Sequence, residues 1–195
     1  MSVDAKDIRN VAVVGHNGTG KTSLVESMLY YTGAIPKAEL VAGGKTTSDY
    51  TEEEISRKIS VHTALASTEW MGKRINILDT PGTADFVGEA ICSFRTTEAA
   101  LMLVDARDGA QIETIKLWRR LDTRNKPRAV FINKMDKERA NSRDVLDNLT
   151  EEFHSNFAPV TIPIGYAEYS KRGTNLTENQ AKKFNAKATQ ESIQS

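Results

Sequence analysis

Eight consecutive residues, Gly15-His16-Asn17-Gly18-Thr19-Gly20-Lys21-Thr22, have the spacing G-x-x-x-x-G-K-[ST] of a loop that wraps phosphate. The chemistry requires this order. Glycines let the backbone turn tightly, so that successive N–H groups point inward at phosphate oxygens. A helix that starts where the loop ends, with Ser23 in its first turn, presents the positive end of its dipole to the same anion. Lys21 has the reach for the outer phosphates, and the Thr22 hydroxyl is suited to ligate Mg²⁺. An ordinary Gly-rich turn is the alternative, and the flanking buried strand and helix argue against it.

Two further groups fall downstream in an order that suits the same ligand. Asp79-Thr80-Pro81-Gly82 closes the apolar run Ile75–Leu78. A carboxylate there can hold a water on Mg²⁺, and the Gly82 N–H can approach a terminal phosphate without interference from a Cβ. Alone the tetrapeptide could be a plain β-turn. Asn133-Lys134-Met135-Asp136 follows the apolar run Ala129–Ile132. The Asp136 carboxylate would accept from the ring N–H and the exocyclic amine of guanine together. Adenine would set a bare ring acceptor against that carboxylate, a mismatch that discriminates by roughly a few kcal/mol when buried. The Lys134 stem can lie against the flat base, and Asn133 can tie the base loop to the phosphate loop.

These groups need a scaffold that gathers residues far apart in the chain. Val11–Val14 is an apolar run ending at Gly15, and from Lys21 onward Leu24, Val25, Met28 and Leu29 fall at helical spacing until Gly33. Residues 34–59 are polar and weakly patterned, which in a compact domain marks a functional or mobile segment. Val61–Trp70 and Arg74–Leu78 predict two strands around a turn at Met71-Gly72-Lys73. A helix is expected over about Ala84–Thr97, with Phe86, Val87, Ala90, Ile91 and Phe94 inward. Ala99–Val104 predicts a strand covered on both faces, Ile112–Leu121 a helix with Ile115 and Trp118 inward, and Arg128–Ile132 the next buried strand. Ser142–Phe153 is another amphipathic helix, and Pro159–Ile164 a possible last strand. Strands alternating with helices mean an α/β domain: an open, mostly parallel sheet with helices on both faces.

Composition narrows the class. The 195 residues suffice for one domain, and 26 Lys+Arg against 26 Asp+Glu give no net charge. That balance argues against a broad electrostatic grip on nucleic acid by this segment, and no apolar run approaches the ~20 residues of a membrane span. The single cysteine, Cys92, excludes an internal disulfide and reads as a small buried hydrophobe. No signal peptide is visible, so a reducing cytoplasm is expected. From about Ala167 the chain is rich in Lys, Asn, Gln, Thr and Ser, and reads as disordered or as a lone solvated helix.

Taken together, the three motifs and their spacing resemble the N-terminal G domain of translational GTPases, above all elongation factor G, its elongation-factor-G-like relatives, and the ribosomal-protection tetracycline-resistance proteins. The resemblance runs from about Ile8 to Gly165 and includes Ser48-Asp49-Tyr50 through Ser60 and the run Asp79–Glu89. It implies a P-loop NTPase fold, GTP or GDP as ligand, Mg²⁺ held by Thr22, Ser60 and Asp79, and catalysis carried by Lys21, Gly82 and the residue after it. Ser60 stands where the family has a threonine, and it keeps the hydroxyl. Thr83 stands where the elongation factors carry a water-orienting histidine, and Gly18 where the family usually has aspartate. His16 and His62 do not match the histidine position and read as surface or loop residues. The family's Ser-Ala segment, with its strand and final helix, is not found after Gly165. The expectation is therefore a GTP-binding domain over 1–165, incomplete at its C-terminal end, with a polar tail over 166–195. Its function is that of a slow GTP-hydrolysing switch. A GTP- or GDP-holding module with little turnover is the second reading, and an ATPase or kinase, opposed by Asn133-Lys134-x-Asp136, the third. Ribosome contact is implied by the resemblance alone.

Overall fold

In the computed structural model, which describes residues 3–161 and 163, five strands form one sheet in the order β2-β3-β1-β4-β5. The strands are β1 (Ile8–Gly15), β2 (Ala64–Trp70), β3 (Lys73–Asp79), β4 (Ala99–Asp105) and β5 (Arg128–Asn133). The helices are α1 (Lys21–Tyr31), the short α2 (Glu52–Arg57), α3 (Val87–Thr96), α4 (Ile112–Thr123) and α5 (Ser142–Phe153). Strands β3, β1, β4 and β5 run parallel, and β2 joins β3 antiparallel. The β2–β3 hairpin turns at Met71 and Gly72, both with positive φ, the backbone that matches strand twist in a two-residue turn.

Each face of the central strand feeds a separate core. Ala12 and Val14 of β1 pack with Ala100, Met102 and Val104 of β4 under α3, α4 and α5. Val13, with Ile77 of β3 and Leu103 of β4, packs under Val25 and Leu29 of α1. Helices therefore cover both faces, as expected of a three-layer P-loop fold.

Several expectations need correction. Strand β5 is not buried on both sides. Val130 and Ile132 join the core under α4 and α5, whereas Ala129 and Phe131 are exposed. Those two share a face with their register partners Leu101 and Leu103 on the α1 side, and α1 does not reach that far across the sheet. Cys92 is exposed, because it lies on α3 away from the inward Ala90 and Phe94. The helix expected from Ala84 opens with a 3-10 turn, Ala84–Phe86, before α3. Pro159–Thr161 carry no strand, and Ile162, Ile164 and the tail 166–195 lie outside the described residues.

Candidate functional site

The site lies at the carboxyl ends of β1 and β3, where a parallel sheet opens toward its connecting loops. Strand β1 stops at Gly15, the chain loops through residues 16–20, and α1 begins at Lys21 after Gly20 in a left-handed conformation (φ 96°). The Lys21 side chain folds back over the loop, and its Nζ donates to the carbonyls of Gly15 and His16, both at 3.0 Å. It is 6% exposed, and burial lowers its pKa to about 8 against the opposing pull of Asp79 and Asp49. A buried cation held only by carbonyls is a strong attractor for an anion.

Beside it, the end of β3 delivers Asp79 opposite Val13 of β1. Thr80 locks this turn, its amide and hydroxyl both donating to the Val13 carbonyl at 3.2 and 2.8 Å. Asp79 is 1% exposed, and neither carboxylate oxygen has a protein partner. Burial pushes its carboxyl up to about 6, despite the Thr22 and Ser48 hydroxyls nearby, outside hydrogen-bonding geometry, and the Lys21 charge. Gly82 passes so close to the phosphate loop that a Cβ would collide with Lys21 Nζ and sit 2.8 Å from the Asn17 amide nitrogen. Only glycine fits there.

The segment 34–59 closes the cleft rather than trailing from it. Thr22 Oγ1 lies 3.3 Å from Ser60 Oγ, and Ser60 Oγ donates to Asp49 Oδ1 at 2.7 Å. Asp49 is 4% exposed, and burial raises its pKa while the Ser60 hydroxyl opposes that rise. Ser48 Oγ is buried without a partner. Two buried carboxylates tether the segment. Glu26 of α1, 2% exposed, accepts from the amides of Glu39 (3.3 Å) and Thr47 (3.0 Å). Glu54 closes a capping box with Thr51 and also accepts from the amides of Val61 and His62, both at 3.1 Å. Burial alone would raise the Glu54 pKa, but these donors lower it.

Sequence reasoning missed Glu26 and Glu54 as tethers and gave Asp49 no role of its own. The Thr51-x-x-Glu54 capping signature was readable. The partners of Glu26, backbone amides 13 and 21 residues away, carry no sequence signal.

The residues expected at the base stand at the end of β5. Asn133 Nδ2 donates to the Thr19 carbonyl at 2.8 Å, and a Cβ on Gly20 would come 2.5 Å from that nitrogen. The two loops are thus pinned together as the motif's chemistry requires. Lys134 has a left-handed backbone (φ 62°) and its ammonium pairs with Asp105 at 2.9 Å. The Asp136 side chain is 60% exposed. A cleft of about 250 Å³ joins most of these positions, lined by Asn17, Gly18, Gly20, Lys21, Thr22 and Ser23 on one side and by Asp49, Ser60, Gly82 and Lys134 on the other. His16 is half-buried in the loop after β1 with Nδ1 unpartnered, and His62 is exposed, so neither departs from the surface-or-loop reading. Thr83 is half-buried, and its hydroxyl likewise has no partner.

A phosphate loop between a central strand and its helix, on a mostly parallel sheet with helices on both faces, defines a P-loop nucleotide-binding domain. Within that class the chain belongs to the elongation factor Tu GTP-binding domain family, whose model matches residues 6–192. The match extends past Gly165 into the polar tail. An elongation factor G-like protein of Thermotoga maritima is 38% identical over 186 residues, 95% of this chain and 26% of that protein. A crystal structure from Thermus thermophilus superposes with a TM-score of 0.72 at 39% identity, covering 75% of this chain and 22% of the other. The chain thus spans about a quarter of the length of these relatives.

Proposed function

We propose that this chain is the nucleotide switch of a translation factor, binding GTP or GDP with Mg²⁺ and hydrolysing GTP slowly. One observation carries the reading: Lys21, Thr22 and Gly82 line one cleft with Asp49 and Ser60 from the segment that follows α1, and buried Asp79 stands close behind Thr22 and Lys21.

The donor set fits Mg²⁺. Both Asp79 oxygens and the Ser48 hydroxyl are buried with no protein partner, beside the hydroxyls of Thr22 and Ser60. Among the described residues no cluster of three His, Cys, Asp or Glu could hold a metal alone. A cation here would therefore take its remaining ligands from phosphate and water, the habit of Mg²⁺. When bound, it neutralises charge on the outer phosphates. Lys21 would leave its loop carbonyls for phosphate oxygens, the loop amides would cradle the rest, and the Gly82 N–H would meet the terminal phosphate. Ser60 Oγ donates to Asp49 and lies 3.3 Å from the Thr22 hydroxyl, so the 34–59 segment would register whether a terminal phosphate is present.

Phosphoryl transfer to water needs positioning and charge stabilisation more than covalent chemistry. Thr83 offers a short hydroxyl where a water must be oriented, so turnover is slow. The same observation favours a second reading, a module that holds nucleotide and does not turn it over. Single-turnover hydrolysis of GTP by the purified chain, alongside Thr83→His, separates them. Slow product formation that rises about tenfold or more in Thr83→His supports the hydrolytic switch. No hydrolysis by either protein supports the holding module. A fast wild-type rate that Thr83→His does not raise overturns the role given to Thr83.

The relatives' name and the family membership support a place on the ribosome in the cytoplasm, in translocation or ribosome protection. No helix among the described residues is long and apolar enough to cross a membrane. Stimulation of the hydrolysis rate by added ribosomes tests that assignment; a rate indifferent to ribosomes removes it.

A further inference from the structure

We infer that Asp105 is a positioning residue for base recognition: it anchors the Lys134 ammonium so that the lysine stem stays at the cleft wall. The inference rests on the guanine-nucleotide reading above and names a residue that none of the three motifs contains.

Asp105 is the last residue of β4, paired in register with Asn133 at the end of β5. Its side chain is 4% exposed and carries ligands on both oxygens. Oδ1 accepts from the Arg107 amide at 3.0 Å and from Arg107 Nε at 3.2 Å. Oδ2 meets Arg107 Nη2 at 3.4 Å and the Lys134 ammonium at 2.9 Å. The loop that carries Lys134 is stitched to the same strand end. The Ala106 amide donates to the Asn133 carbonyl at 2.9 Å, and the Asn141 amide to the Ala106 carbonyl at 3.1 Å. Lys134 closes its own turn, accepting from the Lys137 amide at 3.1 Å.

A lysine stem is flexible and its ammonium strongly hydrated, so an unanchored Lys134 would spend its time in solvent. Pinned behind by Asp105, the methylenes are held against the cleft they line with Gly18 and Gly20. The arrangement is asymmetric. Arg107 supplies three of the four contacts, so the carboxylate stays satisfied if Lys134 loses its charge. If Asp105 loses its charge, Lys134 has no other acidic partner among the described residues. The competing role for Asp105 is to brace the turn 105–109, where its carbonyl accepts from the Gly109 amide at 3.1 Å.

The test uses the whole 195-residue chain, fluorescent GDP as the direct probe, and inorganic pyrophosphate as a baseless competitor. Asp105→Asn should weaken GDP about tenfold while pyrophosphate holds within about twofold. Lys134→Met, which keeps the apolar stem and removes the anchored charge, should show the same split, and the double variant should lose no more than either single. Equal losses for GDP and pyrophosphate would assign Asp105 to the turn or the fold and overturn the inference. Unchanged GDP binding in Lys134→Met overturns it without relying on the folding of Asp105→Asn, as does additivity in the double variant. Wild-type protein that binds ADP as well as GDP, or neither, defeats the guanine reading itself, and the inference falls with it.

Discussion

The two ends of the proposed nucleotide cleft are built differently. The phosphate end sits on β1 and β3, central strands whose residues Val13, Ile77 and Asp79 are at most 1% exposed. It is held by contacts with no slack: Lys21 on two carbonyls, Thr80 on Val13, and Gly82 against Asn17. The base end hangs from β5, the edge strand in the described sheet, with Phe131 39% exposed and the Asp136 side chain 60% exposed. Its order is borrowed through Asn133 from Thr19 and through Lys134 from Asp105. Affinity should therefore concentrate at the phosphate end, and base selectivity should be the more fragile property.

Lys21→Ala probes the stronger end and should have the largest effect. It removes, from a buried site, the charge proposed to meet the phosphates, where charge-assisted bonds count most. A GDP titration should show a loss on the order of a thousandfold. Thermal melting of the nucleotide-free protein should not fall, because the cost of desolvating the lysine outweighs what its two carbonyl partners and the nearby Asp79 and Asp49 return. A melting temperature that drops with the affinity would mean that Lys21 braces the loop rather than waiting for an anion.

Asp136→Asn probes the weaker end. The amide keeps one acceptor for the ring N–H of the base but presents a donor to guanine's amine. GDP should weaken roughly tenfold to a hundredfold, and xanthosine diphosphate, with a carbonyl at that position, should gain. Both effects should stay below that of Lys21→Ala. A GDP loss as large as that of Lys21→Ala would show that the base end carries as much of the affinity, and the contrast between the two ends would fail.

How far the sequence reached follows the same division. The phosphate loop is contiguous, so Gly15 to Ser23 could be placed on strand, loop and helix from their types alone, and the structure sets them there. The strand and helix order was legible because hydrophobic period reports local burial, as in α5, found at Ser142–Phe153 where expected. What stayed hidden depends on neighbours distant in sequence. Apolar Ala129–Ile132 gave no hint that one face of β5 lies beyond the reach of α1. The polar look of 34–59 concealed a segment bound to buried Glu26 and fastened by its own buried Glu54 to the amides of Val61 and His62. Asp105 carried no motif, since its role comes from a register pairing with Asn133.

The smallest expected effect tests the open edge. Phe131→Thr puts a β-branched residue on the exposed face of β5, so β propensity is kept and only partly buried ring surface is lost. Stability from denaturant unfolding should change by under about 1 kcal/mol. Its register neighbour on the same face gives the control: Leu103, 0% exposed under α1, should cost about 2–5 kcal/mol when cut to Ala. The two residues are adjacent on one sheet face and differ mainly in whether a helix covers them. If Phe131→Thr instead costs as much as Leu103→Ala, something covers β5 in solution. The base end would then be as well supported as the phosphate end, and the predicted weakness of its selectivity would have no structural ground.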